Sequence, residues 1–287
     1  MNKKILITVL AIALTVGIAS AMVISYFGYT VITAEVTQPV RLNGNDWDVP
    51  TTYTPTVYGG ETYCSPWQTL SNDANLPIPI KLETTISPPD GLTAQYQFRL
   101  TIDGSEYDSA GYSTWDRVVT VPAVATINDI TSLNFEYMLT VSTSGYSPYF
   151  VLELDTNDDG IKDSWAVSWQ DSGTPIDTWT TYAGVSGRDW HPGDGVSKES
   201  FGWIQSHFSG AKLLAVKVAI GEWSDLTATT AIVRNINVNG SPAIDNGIVV
   251  PANSASAVEG HVHFRVCINF PTTTIGTYVI TTAVKPA

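Results

Sequence analysis

Apolar residues recur at every second position in many short segments of this chain, and this pattern constrains the fold more than any other feature. Tyr96, Phe98 and Leu100 share one side of such a segment, and Trp165 and Val167 share one side of another. This period is that of a half-buried β-strand. Turns rich in Gly, Pro, Asn and Asp separate the segments, and no long helical periodicity follows the N-terminal region. The pattern therefore predicts an all-β protein of the sandwich type.

The charge balance excludes one broad class of function. The chain has 287 residues, with 27 acidic against 14 basic side chains and a net charge of −13. Nucleic acid needs a basic face for its phosphates, so we do not expect it as a partner. Only 14% of the residues are charged, which is low for a cytosolic protein. The length is enough for one large or two ordinary domains.

The first 27 residues have the features of an export signal. Lys3 and Lys4 form a positive region, and an apolar run from Ile5 to Phe27 follows. Ala19-Ser20-Ala21 matches a signal-peptidase cleavage site. The run is also long enough to cross a bilayer as a retained anchor helix. We favour cleavage, and under either interpretation the folded part is secreted or lies at the cell surface.

The chain has two cysteines, Cys64 and Cys267. In an exported protein an even number of cysteines predicts first a disulfide bond. The alternative is that both thiols are small buried apolar groups in separate domains.

One acidic loop lies between the two predicted strands of residues 149–169. It contains oxygen ligands at positions 1, 3, 5, 7 and 9, which are Asp155, Asn157, Asp159, Ile161 (through its carbonyl) and Asp163. Gly160 at position 6 allows a sharp turn, and this combination suits Ca²⁺. Ala166 occupies the position of the EF-hand glutamate, so we predict a structural calcium loop in a β context. The alternative is a solvated hairpin with Asx turns and no metal.

Short motifs at the two ends of the chain carry a family resemblance. They include Gly59-Gly60-Glu61-Thr62, Leu70-Ser71-Asn72, Val250-Pro251-Ala252 and Gly276-Thr277-Tyr278. With these motifs, residues 28–103 and 244–287 resemble the TasA/camelysin family of exported fibre subunits, which includes archaeal pilus and tube proteins. The resemblance implies a jelly-roll-like sandwich. It also implies assembly in which the N-terminal strand of one subunit completes the sheet of the next.

The segment in the matching place alternates as a donor strand would. Ile32, Ala34 and Val36 share one face, opposite threonine and glutamate side chains. We expect this strand to add to a second copy of the chain, which makes the protein its own partner in a homopolymer.

Residues 104–243 have no counterpart in the simple family pattern. Through Leu133-Asn134-Phe135-Glu136-Tyr137, the acidic loop and Thr178-Trp179 they resemble concanavalin-like or carbohydrate-binding-module-like jelly rolls of prokaryotic surface proteins. One cysteine precedes this block and the other follows it. If they pair, the fold is two β-sandwich, jelly-roll-like domains, one inserted into the other, after an N-terminal signal or anchor helix.

Aromatic residues in and near the long irregular stretch of residues 170–210 are candidates for sugar stacking. They are Trp179, Tyr182, Trp190 and Trp203, together with Trp223 further on. The alternative is that these rings pack the core or hold the loop in place. Asn239-Gly240-Ser241 is a glycosylation sequon.

Catalytic patterns are weak. Glu153-Leu154-Asp155 resembles the E-x-D-x-x-E strand of lectin-fold glycosidases, but Asp158 stands where that family has glutamate. His261 and His263 share a strand face without a third metal ligand at suitable spacing. The sequence has no P-loop, nucleophile elbow or CxxC motif. We therefore predict that the chain is not an enzyme.

The resulting expectation is a secreted structural subunit of an extracellular filament, pilus or surface layer. The alternative is a calcium-dependent, carbohydrate-binding adhesin that recognises surface glycans. A more remote alternative is a lectin-fold glycosidase.

Overall fold

The structure, a computed structural model, describes residues 20–21, 34–35, 39–46, 49–89, 91–102, 116–142, 146–193, 198–220, 229–252 and 261–287. The secondary structure in these ranges is almost entirely antiparallel β-strand, so the all-β prediction is confirmed. Helix α1 (Phe201–His207) is short, and two 3-10 turns lie at Ile127–Asp129 and Ala243–Asn246. None of the helices described is both long enough and apolar enough to span a bilayer.

The strands, in chain order, are β1 (Ser20–Ala21), β2 (Ala34–Glu35), β3 (Val40–Leu42), β4 (Asn45–Asp46), β5 (Thr51–Tyr53), β6 (Thr56–Val57), β7 (Thr62–Cys64), β8 (Gln68–Asn72), β9 (Ile78–Ser87), β10 (Gln95–Ile102), β11 (Asp116–Thr120), β12 (Leu133–Val141), β13 (Tyr149–Asp155), β14 (Ser164–Ser168), β15 (Thr180–Ala183), β16 (Asp189–Pro192), β17 (Glu199–Ser200), β18 (Lys212–Ile220), β19 (Thr229–Val238), β20 (Ser241–Pro242), β21 (Ile248–Val250), β22 (His261–Asn269), β23 (Gly276–Thr277) and β24 (Val279–Pro286).

The chain divides into two compact units, residues 1–39 and 40–287. In the first unit, β1 and β2 pair antiparallel, so Ala34 of the predicted donor strand lies opposite Ala21. Ile32, Val36 and most of the predicted signal or anchor lie outside the described residues. Ser20 and Ala21, which belong to the predicted cleavage site, form β1.

The second unit contains two large sheets. Sheet I has the strand order β15-β12-β19-β10-β22-β8-β3-β4, with β20 also on β19 and β7 also on β22. Its strands alternate between buried and half-exposed residues; β12 is an example, with Leu133, Phe135, Tyr137 and Leu139 buried. One face of sheet I therefore packs in the core, and the other faces solvent.

Sheet II has the order β17-β16-β14-β13-β18-β11-β21-β9-β24-β5. At its β9–β24 end the strands again alternate between buried and exposed residues. In the middle, consecutive residues such as Val151 and Leu152 of β13 are both buried, so this part of the sheet is covered on both faces.

The two sheets pack face to face around one hydrophobic core. The rings of Phe135 on sheet I and Phe150 on sheet II lie 4.9 Å apart, edge to face. Near the other end, the Tyr96 hydroxyl of sheet I donates a hydrogen bond to Thr84 Oγ1 of sheet II at 3.0 Å. This packing of inner faces makes the unit a β-sandwich.

The predicted outer sandwich and the predicted insert contribute strands to the same two sheets. In sheet I, Phe98 pairs with Val233 of the insert on one side and with Phe264 of the outer segment on the other. In sheet II, Thr120 of the insert pairs with Val216 of the insert on one side and with Ile248 of the outer segment on the other. The predicted boundary is therefore not a boundary between sheets, because backbone hydrogen bonds continue across it.

The predicted disulfide is confirmed. Cys64 on β7 and Cys267 on β22 are direct cross-strand partners and are joined by a bond that closes a sequence separation of 203 residues. The Gly59-Gly60 motif just before β7 has a packing reason at its first residue. A Cβ at Gly59 would lie 2.1 Å from the carbonyl oxygen of Thr272, so only glycine fits there.

Candidate functional site

The acidic loop joins β13 to β14 at one end of sheet II. The two strands pair from Val151 with Val167 to Leu154 with Ser164, and the loop begins where this ladder ends. Asp158 and Gly160 have positive φ values of 66° and 81°, which lets the loop turn back sharply.

Asp155 is the buried centre of the loop, with 1% of its surface exposed. Its Oδ1 accepts hydrogen bonds from the backbone N–H groups of Asn157, Asp158 and Asp159, and its Oδ2 accepts one from Gly160 at 2.8 Å. Burial acts to raise the pKa of Asp155, but these four backbone bonds outweigh it and lower the pKa below its usual value. Asp155 is therefore held as a carboxylate.

Asp163 closes the loop from its far end. Its Oδ2 accepts hydrogen bonds from the N–H and hydroxyl of Thr156 and from the N–H of Asn157. The Asn157 amide in turn donates to Asp163 Oδ1 at 3.3 Å and accepts from the N–H of Asp159 at 3.0 Å. The loop is thus pre-organised by its own side chains.

The geometry fits the predicted cation at three of the five positions. Carboxylate oxygens of Asp155, Asp159 and Asp163 all lie within 4.8 Å of one another. Two oxygens on opposite sides of a Ca²⁺ ion are about 5 Å apart, given Ca–O distances near 2.4 Å. Three carboxylates are a hard-donor set of the kind Ca²⁺ prefers. Asn157 lies within this network, and Ile161 is exposed, with its N–H donating to Asp159 Oδ1.

The carboxylates of the weak glycosidase resemblance are engaged in other contacts. Glu153 Oε1 lies 2.5 Å from Lys217 Nζ and 3.7 Å from Lys162 Nζ. Burial lowers the pKa of Lys217, and the Glu153 carboxylate opposes that effect. Asp155 is committed to the loop backbone. Both carboxylates of this pattern therefore have partners within the protein.

Tyr182 and Trp190 were candidates for sugar stacking, and this interpretation is wrong for both, because their side chains are fully buried. Tyr182 stacks on Phe135 at 4.7 Å, and its hydroxyl lies 2.6 Å from Ser168 Oγ and 2.7 Å from the Trp169 carbonyl. Trp190 donates from Nε1 to the Gly184 carbonyl at 2.7 Å. The alternative interpretation, that these rings pack the core, applies to them.

Trp179 and Trp203, the other candidates among the described residues, each form a different contact. Trp179 is half-buried, and the Arg234 guanidinium lies 3.7 Å above its ring. Trp203 on α1 is 37% exposed and stacks on His207 at 4.4 Å. Trp223 lies outside the described residues.

Asn239 lies in the exposed turn between β19 and β20. Its Oδ1 accepts from the Thr131 N–H at 2.7 Å, and its Nδ2 donates to the Asp129 carbonyl at 2.7 Å. Nδ2 is the atom to which a glycan would be attached. Glycosylation stays a prediction, at a position where the amide already fixes a loop.

Sequence reasoning missed a cationic and aromatic surface on the solvent-facing side of sheet I. We call it the arginine face; its members are Trp67, Gln97, Arg99, Trp179, Arg234, His263 and Arg265. The available signal was the spacing of Gln95, Gln97 and Arg99 on β10 and of His261, His263 and Arg265 on β22, because alternate residues of a strand share one face. Trp67 and Trp179 lie outside these strands, and only the tertiary structure shows that they belong to the surface.

Comparison with known proteins does not identify a family. No protein-family model matches the chain, and no curated protein matches it. The solved structures similar to it include those of the Gx and Gt strains of infectious bursal disease virus, with 10% and 11% identity and TM-scores of 0.20 and 0.17. These matches cover 93% and 92% of this chain, which spans 44% of the length of each viral chain.

Proposed function

We propose that the chain is an exported, cell-surface structural protein that assembles into a filament, pilus or surface layer by strand addition. The observation that carries the proposal is the strand pattern of the N-terminal segment. Ile32, Ala34 and Val36 alternate with threonine and glutamate side chains, and Ala34–Glu35 forms strand β2. A segment with this pattern can add as a strand to the sheet of a second copy.

Export is supported by the disulfide. Such bonds persist in oxidising compartments and are rare in the cytosol, where thiols are kept reduced. The Cys64–Cys267 bond joins two adjacent strands of the sandwich, one from early and one from late in the sequence of the folded unit. This agrees with the signal-like N-terminus, whether it is cleaved or retained as an anchor.

A partly uncovered strand offers a place for the donor. β24 pairs with β9 along its whole length, but with β5 only from Ile280 to Thr282. Among the described residues, its last four positions therefore have no strand on the β5 side. Backbone groups at such an edge can pair with an added strand, and alternate side chains set the register.

The TasA/camelysin resemblance belongs to the same proposal. We propose that residues 28–103 and 244–287 supply the assembling part and residues 104–243 the part that resembles a carbohydrate-binding module. Because both parts share two sheets, they would act as one body with a widened sandwich. The calcium loop would stiffen one end of that body and do no chemistry.

Substitution on the two faces of the donor strand tests the assembly. Val36→Lys places a charge on the face of Ile32, Ala34 and Val36, whereas Thr37→Lys places the same charge on the opposite face. We expect the first variant to be secreted as monomers and the second to form filaments, as seen by electron microscopy and size-exclusion chromatography. A deletion should stop before Val40, because that residue is buried in β3. Filaments of unchanged length from Val36→Lys would refute strand addition.

A further inference from the structure

The arginines of this acidic protein are unevenly distributed. Of six in the chain, four project from the solvent-facing side of sheet I: Arg41, Arg99, Arg234 and Arg265. Cross-strand pairing places them together, since Gln97 lies between Arg234 and Arg265, and Arg99 lies opposite His263. Directly paired residues point to the same side of a sheet. Sheet I therefore holds most of the arginines of a chain of net charge −13, and two of the four, Arg41 and Arg234, are compensated by acidic neighbours.

Two of these arginines, Arg99 and Arg265, differ from the others in their partners among the described residues. The guanidinium carbons of Arg99 and Arg265 lie 5.2 Å and 4.6 Å from the centroid of the same Trp67 ring. Among the described residues, neither arginine has a carboxylate within ion-pair distance. Arg41, Arg188 and Arg234 differ, because each forms an ion pair with Asp or Glu. Burial lowers the pKa of Arg265, because partial removal from water disfavours the charged form of the guanidinium.

The guanidinium groups of Arg265 and Arg234 are fixed in position before any ligand arrives. Arg265 donates from Nε and Nη2 to Gln97 Oε1 at 2.9 Å and 2.8 Å, and Gln97 is itself 4% exposed. Arg234 is held by Glu136 at 2.6 Å and by the Trp179 ring. With one strand between them, Arg234 and Arg265 are roughly 9–10 Å apart at the backbone. Side chains held in this way lose little entropy on binding.

From this arrangement we infer that the arginine face binds an acidic polysaccharide, one whose sugars carry carboxylate groups. Guanidinium groups form paired hydrogen bonds with carboxylates. Arginines already occupy positions over Trp67 and Trp179, so the surface suits anionic rather than neutral sugars. Thr69 and Ser71 of β8 and Gln95 of β10 border the arginines and can bond to hydroxyl groups.

The competing occupant is the acidic loop of a second copy, and its chemistry fits less well. Its carboxylates at Asp155 and Asp163 are engaged by the loop's own N–H groups, and Asp158 pairs with Lys212. A half-exposed sheet face suits an extended polymer that contacts more than one arginine at once. The negative charge of the rest of the protein does not prevent binding, since charges beyond about 8 Å are screened at physiological salt.

Binding of the full chain to polygalacturonate, with dextran as the neutral polymer, tests the inference. The test variant is Arg99→Gln/Arg265→Gln. The matched control is Lys81→Gln/Lys285→Gln. It removes two exposed positive charges from sheet II, where the two lysines lie opposite each other on β9 and β24. We expect binding to polygalacturonate alone, weakened about tenfold or more in the arginine variant and unchanged in the lysine control. Arg99→Lys/Arg265→Lys keeps the charge but loses the paired geometry, and it should bind with intermediate affinity.

Three outcomes would overturn the inference. The first is the absence of polygalacturonate binding by the full chain. The second is equal weakening in the arginine and lysine variants, which would show that only net charge matters. The third is an arginine variant that binds the polymer normally but loses self-association, which would assign the face to a second copy. Thermal unfolding of each variant separates loss of binding from loss of fold, and the lysine-for-arginine variant keeps the test valid if the glutamine variant unfolds.

Discussion

Cys64 and Cys267 lie directly opposite each other on adjacent strands and are covalently joined, although 203 residues separate them in the sequence. The bond connects β7, which comes early in the folded unit, to β22, which comes near its end. Between the two cysteines the chain builds most of both sheets. The disulfide therefore closes a covalent loop that contains most of the sandwich.

Breaking this bond should reduce stability substantially. In the unfolded chain the disulfide restricts a loop of about 200 residues, and removing a native disulfide typically costs about 2–5 kcal/mol. We expect Cys64→Ala/Cys267→Ala to lower the free energy of unfolding by about that amount in urea titrations. Reduced wild-type protein should match the variant. An unchanged urea midpoint in both samples would contradict the prediction.

Replacement of Trp190 and of Trp203 by alanine should reduce the free energy of unfolding by different amounts. Trp190 is fully buried against Phe201 and donates to the Gly184 carbonyl, whereas Trp203 is 37% exposed on α1. Trp190→Ala should cost about 3–5 kcal/mol of stability through a large cavity. Trp203→Ala should cost about 1 kcal/mol or less. Chemical denaturation measures both, and equal losses would argue against the assigned core role of Trp190.

Calcium should stabilise the protein through the acidic loop. At a concentration 100 times its dissociation constant, a ligand that binds only the folded state contributes about 2.7 kcal/mol. We expect Ca²⁺ to raise the Tm of wild type by roughly 5–10 °C and EDTA to reverse the effect.

Asp159→Asn is the sharpest variant for this site, because the exposed side chain keeps an oxygen that can accept from Ile161. It should remove most of the calcium-dependent shift. Asp177→Asn, which changes an acidic residue outside the loop, should keep it. A shift that persists in Asp159→Asn would place the ion elsewhere.

Acidification should destabilise the arginine face through His263. Burial, Arg99 and His261 together lower the pKa of His263 below 6.5, and its Nδ1 lies 3.0 Å from Thr69 Oγ1. The folded chain thus favours the neutral ring. The contribution of the neutral His263 ring to stability is complete above about pH 6.5 and is lost as the pH falls toward the lowered pKa of His263.

Urea unfolding between pH 8 and pH 5 checks this dependence. We expect the free energy of unfolding to fall less steeply on acidification in His263→Gln than in wild type. Identical pH slopes in wild type and His263→Gln would contradict the prediction.

The sequence was sufficient for local structure, because strand alternation and turn chemistry act over a few residues. It correctly predicted an all-β chain, strands on both sides of the acidic loop, and the cysteine pair. The loop is equally local: Asp155, Asp159 and Asp163 fall close together because the turn between β13 and β14 requires it.

Only the tertiary structure decided which strands are neighbours. Phe98 pairs with Val233 on one side and Phe264 on the other, and nothing in its own segment indicates that these partners come from two differently patterned regions. For the same reason Tyr182 and Trp190 are core residues rather than a surface platform, and Arg99 and Arg265 share one indole ring. Alternation determines which side of a strand a residue occupies. Long-range pairing determines which side is buried and what lies beside it.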